Sequence, residues 1–94
     1  MIVTVAEMKT HLRIEHDEED AYIGSLIQQS QTAAEDYCRL VFDEDAPPSV
    51  RLAIMLMVAH YYDHRDNADK QVYVSMRMAF ENLLYPHRNV DMMF

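Results

Sequence analysis

Between Val50 and Arg65 the chain reads VRLAIMLMVAHYYDHR, and from Ala53 to Ala59 it carries no polar side chain. A helix made of those residues is apolar around its whole circumference and has to be covered on several sides. The run is far shorter than the roughly 18 apolar residues that a membrane span requires, so the cover must come from protein. This stretch is therefore expected to be a central helix around which the other segments pack. On that reading Ala53 to Ala59 is core, and Leu56→Asp would unfold the chain by burying an unpaired charge.

With 94 residues the chain is expected to form a single helical domain, residues 1–94. One glycine and three prolines leave few tight turns, while Ala, Leu, Met, Glu, Gln and Arg favour long helices, so the fold class is all-α, a small bundle of about four helices. Sixteen acidic against eight basic residues give a net charge of −8, which repels a phosphate backbone and disfavours direct binding to DNA. Cys38 is the only cysteine, so no disulfide can form within the chain, and a reducing compartment is the default. The N-terminal residues lack the basic and apolar segments of a secretion signal.

Along the chain, Thr4 and Glu7 fit a capping box that starts a first helix over Val5–Leu12, with Val5, Met8 and Leu12 in one stripe and Arg13 and Ile14 beginning a connection. Asp17 is the natural N-cap of a second helix, with Glu18, Glu19 and Asp20 in its first turn beside the positive helix end. Ile23, Leu26, Ile27, Ser30, Ala33, Ala34, Tyr37 and Val41 recur at three and four, which predicts a helix of about 20 residues ending near Val41 or Phe42. Gly24 and the small residues in its middle suit the close approach of another helix. Asp43 to Pro48 form a polar break, after which Pro48 or Ser49 starts the central helix, which runs to about Arg65. The polar segment from Asp66 to Val74 is expected to be a loop with a short extended end. Ser75 would then cap a last helix from Met76 to about Tyr85, stopped by Pro86, with Met76, Ala79, Phe80, Leu83 and Leu84 as its stripe.

Few residues suggest chemistry. His60 and His64 share a helical face, but two ligands do not make a metal site, and the residue after His60 is a tyrosine where a metalloprotease helix has glutamate. The consecutive acids from Asp17 to Asp20 lack the alternating oxygens and glycine of a calcium loop. Cys38 has no partner base, the serines have no triad setting, and one glycine cannot build a phosphate loop. No catalytic residue, cofactor or metal is expected. Tyr61 and Tyr62 point to different faces of the central helix, which suits one for the core and the other for an edge. Eight methionines either fill core gaps or offer adaptable contact surfaces. Tyr73, Met92, Met93 and Phe94 are apolar groups that a bundle of this size can hardly bury alone, and they are the candidate interface residues.

The order of segments resembles a known family. The run MLMVAHYYDHRD, Met55 to Asp66, is similar to the signature of the head-tail connector (adaptor) proteins of tailed bacteriophages and prophages, also labelled phage DNA-packaging proteins. That signature has an apolar run, an alanine, a histidine, two aromatics and an acidic or polar pair before arginine, matched here by His60, Tyr61, Tyr62 and Arg65. The opening VAEMKTHLRIEHDEEDAYI, with Leu12 and Arg13, and the closing LLYPHR, with Leu83, Leu84, Pro86 and Arg88, resemble the family's two ends. The chain departs from the family in having no glycine before Leu83. The resemblance implies a structural, non-enzymatic subunit at the head-tail junction of a virion. It would assemble as a cyclic homo-oligomer, a ring between the portal protein and a tail-completion or stopper protein, with DNA passing through a channel without sequence-specific binding. The acidic balance suits a collar that does not grip DNA. An alternative from composition is a small acidic helical module that regulates or inhibits a basic partner. A helix-turn-helix reading lacks a basic recognition helix.

Overall fold

The computed structural model describes residues 2–65 and 69–89. Four α-helices follow one another, α1 (Val5–Leu12), α2 (Asp20–Cys38), α3 (Pro48–Asp63) and α4 (Lys70–Leu84), and a 3-10 turn, Tyr85–His87, closes the described chain. No strand occurs among the described residues, so the all-α expectation holds.

The central stretch forms α3 and packs against α2 on one side and α4 on the other. Pro48 is its first helical residue, where a missing N–H leaves no bond unmade, and Pro47 before it is extended as a residue preceding proline should be. Ala53, Ile54, Met57 and Val58 are buried in the core, and Met55, Leu56 and Ala59 pack against it from its rim. Leu52 is half exposed and shares with Leu56, Ala59 and Asp63 the one face of α3 that the bundle leaves open. The cover predicted for this helix is therefore wide but not complete, and Leu56 lies at its margin rather than at its centre.

The first helix is bounded as predicted. The Thr4 hydroxyl accepts the Glu7 N–H at 3.1 Å, and the Glu7 carboxylate accepts the Thr4 N–H at 3.2 Å. Gly24 lies where a Cβ would stand 3.6 Å from the Val5 side chain, an ordinary contact, so α1 does lean on α2 there without requiring glycine.

Three boundaries differ from those the sequence suggests. Asp17 does not cap α2, which begins at Asp20 with Glu19 before it and no side-chain cap. The carboxylates of that acidic stretch are engaged elsewhere: Asp17 pairs with Lys9 of α1, and Glu19 with Arg65 beyond α3. The other end of α2 comes at Cys38, not Val41, because Arg39 adopts the left-handed conformation at φ 57° and the Leu40 N–H turns back to the Glu35 carbonyl at 3.2 Å. Glu35 also takes the Phe42 N–H at 2.9 Å, and the redirected chain leaves Val41 88% exposed. Finally, the segment taken for a loop is helical from Lys70, six residues before Met76. Asp69 is the cap, accepting the N–H groups of Gln71 and Val72, while Ser75 is an exposed residue within the helix. Val72, Tyr73 and Val74 imitate a strand in composition, but Tyr73 continues the stripe of Met76, Phe80 and Leu84 at helical spacing.

Both chain ends of the described structure are tied to the bundle, which no sequence pattern indicated. Ile2 and Val3 are buried; the Ile2 N–H meets the Gln31 side chain at 2.9 Å, and its carbonyl accepts from Arg51. At the other end the Asn89 N–H donates to the Cys38 carbonyl at 2.8 Å, and Ser49 meets the His87 ring at 2.6 Å.

Candidate assembly surface

Where α3 ends, its last turn divides its aromatic residues between the two neighbouring helices. On the α4 side, His60 stacks on His64 with ring centres 4.7 Å apart and meets Tyr73 edge-on at 5.9 Å. The Tyr61 and Tyr73 rings lie 6.5 Å apart, tilted at 49°. On the α2 side, Tyr62 lies beside Tyr22 at 6.4 Å and donates its hydroxyl to Glu19, while the Arg65 guanidinium covers the Tyr62 ring at 4.7 Å and pairs with the same carboxylate. The prediction that Tyr61 and Tyr62 face different ways is correct.

These contacts shift the titration of the groups involved. Burial makes the His60 ring harder to protonate, and the neighbouring His64 adds to that against an opposing pull from Asp63. Burial likewise raises the Tyr61 hydroxyl, reinforced by Tyr73. The hydrogen bond from Arg65 holds Glu19 below the usual carboxylate range. The His64 Nδ1 lies 2.9 Å from the His60 carbonyl, which can only accept, so that nitrogen carries the proton.

Together these side chains wall an open groove of about 470 Å³ at one end of the bundle. Tyr22 and Leu26 contribute from α2, His60, Tyr61, His64 and Arg65 from the end of α3, and Asp69, Lys70 and Tyr73 from the start of α4. It is an aromatic trough with a cationic edge in a chain whose net charge is −8. Its existence depends on α4 starting at Lys70, so reading residues 66–74 as a loop conceals it. Tyr22, Glu19 and Lys70 carry little sequence signal for this place; only the aromatic character of Tyr22, the third residue of a helix preceded by acids, hints at it.

The remaining family-like positions are spread over other parts of the fold. Leu12 packs against the core, and Arg13 ends α1 in the left-handed conformation with its N–H turned to the Lys9 and Thr10 carbonyls. Leu84 is fully buried, Leu83 packs beside it, and Pro86 lies in the 3-10 turn. Arg88 covers the Tyr37 ring at 4.6 Å and donates to the Tyr37 carbonyl at 3.2 Å, which locks the closing motif to the far end of α2. Of the candidate interface residues, Tyr73 is 38% exposed in the groove, while Met92, Met93 and Phe94 lie outside the described residues.

No group of three or more His, Cys, Asp or Glu side chains is placed to hold a metal ion among the described residues. Cys38 is buried against the Leu84 carbonyl, and that burial raises its thiol, with Arg88 opposing. No helix of the described chain is long and apolar enough to cross a membrane.

The described chain is thus a small helical bundle with a central apolar helix, paired aromatics at that helix's end and a closing turn locked by Arg88. It belongs to the family described as phage gp6-like head-tail connector protein, whose model matches residues 2–88. This is a family of structural proteins, and membership gives the chain a structural role in the phage head-tail connector. The chain is also similar to the head completion protein gp6 of Enterobacteria phage HK97, 30% identical over an alignment 95 positions long that covers 94% of this chain and 83% of that protein. No solved structure matches it significantly.

Proposed function

We propose that the chain is a ring-forming subunit that completes the phage head, bound to the portal protein on one side and to a tail-completion or stopper protein on the other. The family match over residues 2–88 carries this reading, and the similarity to a head completion protein supports it. The virion's head-tail junction is then its location, after assembly in the host cytoplasm. Its work is association, without turnover or cofactor. In a cyclic ring each contact is heterologous, so one face of a subunit complements a different face of the next. Exposed Leu52 and Tyr85, together with Met78 on α4, offer apolar surface for such faces. DNA would pass through the channel unread, as the net charge of −8 favours repulsion of the backbone over grip.

Native mass spectrometry over a range of concentrations, with and without the cognate portal protein, tests the reading. A closed oligomer of defined copy number is expected, formed alone or on the portal. A chain that stays monomeric at high concentration and ignores the portal would sink it, and one-to-one capture of a basic protein would point to a regulator instead.

A further inference from the structure

We propose that the groove between the ends of α2, α3 and α4 receives Met92, Met93 and Phe94 of a second copy of this chain. The inference rests on the ring reading above and names the contact that would give the ring its direction.

Chain reach excludes the simplest alternative, that these residues fill their own groove. The Asn89 N–H is bonded to the Cys38 carbonyl, at the C-terminal end of α2. The groove residues Tyr22 and Leu26 stand sixteen and twelve positions earlier on the same helix, about 24 and 18 Å away at the rise of an α-helix. On α4, Tyr73 likewise stands twelve positions before Tyr85. Met92 and Met93 follow Asn89 by three and four residues, so they extend at most about 10 and 14 Å from it. The three side chains cannot seat together between Tyr22 and Tyr73 of their own subunit, whatever follows them in the chain.

The chemistry of the two parts is complementary. The groove presents tyrosine and histidine rings, and thioether sulfur packs favourably against aromatic edges, as does a phenyl ring. Lys70 at the groove's edge makes no ion pair among the described residues, and Asp91, next to the methionines, supplies the opposite charge. Asn89, from which the segment leaves the described bundle, and the groove lie at opposite ends of one subunit, so the contact joins unlike faces and can repeat around a ring.

Disulfide trapping between two full-length variants tests this. Met93→Cys and Tyr73→Cys are made separately, mixed at assembling concentration with and without the portal protein, and oxidised with copper phenanthroline; Cys38, being buried, stays in both. A cross-link between the two variants, absent when either is oxidised alone, is the expected result. The double variant Met92→Glu, Met93→Glu should lower the assembled fraction at least ten-fold while its far-UV circular dichroism stays unchanged. Assembly without the cross-link, a cross-link from Met93→Cys to the portal instead, or undiminished assembly of the double variant overturns this inference and leaves the connector reading standing. Failure of the unmodified chain to assemble under any of these conditions overturns both.

Discussion

His60 is half-buried with His64 stacked on it, Tyr61 and Tyr73 at its edges and Asp63 nearby, and its ring is harder to protonate folded than free. A histidine whose folded pKa lies below its unfolded value of about 6.5 binds fewer protons in the native state. Its contribution to stability is complete above that value and is lost as the pH falls through it. Urea unfolding at pH 7.5, 6 and 5 should therefore show a steeper loss for the unmodified chain than for His60→Gln; parallel losses would contradict the assignment. A second residue with several tasks is Arg51, which joins the Ile2 carbonyl to the Glu7 carboxylate and so fastens the N-terminal residues and α1 to α3. Partial burial opposes ionisation of Glu7, yet hydrogen bonds from Thr4 and Arg51 outweigh it and keep the carboxyl below its ordinary range. That contribution is present above about pH 4.3 and fades as acid protonates Glu7. Because the pair is partly solvated, Arg51→Ala should cost only about 1–2 kcal/mol in denaturant unfolding at pH 7, and less at pH 3. The Thr4 and Glu7 capping box is visible in the sequence because its partners are three residues apart. The link from Arg51 to Ile2 is not, since 49 positions separate them.

Among the elements, α4 diverges furthest from its sequence pattern. Val72 to Val74 favour a strand by residue type, but a helix start is decided by its cap, and Asp69 takes two of the otherwise unbonded N–H groups. Asp69→Ala should cost about 1 kcal/mol and speed amide exchange at Gln71 and Val72, with α2 unaffected; unchanged exchange there would remove Asp69 as the cap. The misplaced end of α2 has a similar cause. Apolar spacing continues past Cys38 to Val41, yet helix termination is a backbone event, and here a left-handed arginine performs what glycine usually does. With one glycine in the chain, placed inside α2, neither Arg13 nor Arg39 announces a helix end.

For the whole molecule, α3 is central, but its covering has an order that periodicity does not reveal. Ile54 is fully buried, and Leu56 is at the rim near exposed Leu52. Ile54→Asp should abolish cooperative unfolding and most helical circular dichroism, because a carboxylate with no partner would be left in the core. Leu56→Asp, which the sequence alone marks as equally damaging, should stay helical with a lowered Tm. If Leu56→Asp also unfolds the chain, the open face of α3 is better covered than its exposure indicates.

The sequence by itself determined the helical class, the central helix, the first helix with its capping box, and the family, through the run from Met55 to Asp66. Those are local properties: propensity, the apolar period and short motifs act between residues a few positions apart. The start of α4 and the end of α2 are set by a cap and a backbone turn that apolar periodicity does not register. Only the tertiary structure decided that Glu19 pairs with Arg65 and that Tyr22, Tyr61 and Tyr73 meet in one groove. Each depends on contacts between residues far apart in the chain, whose geometry exists only once the helices have packed.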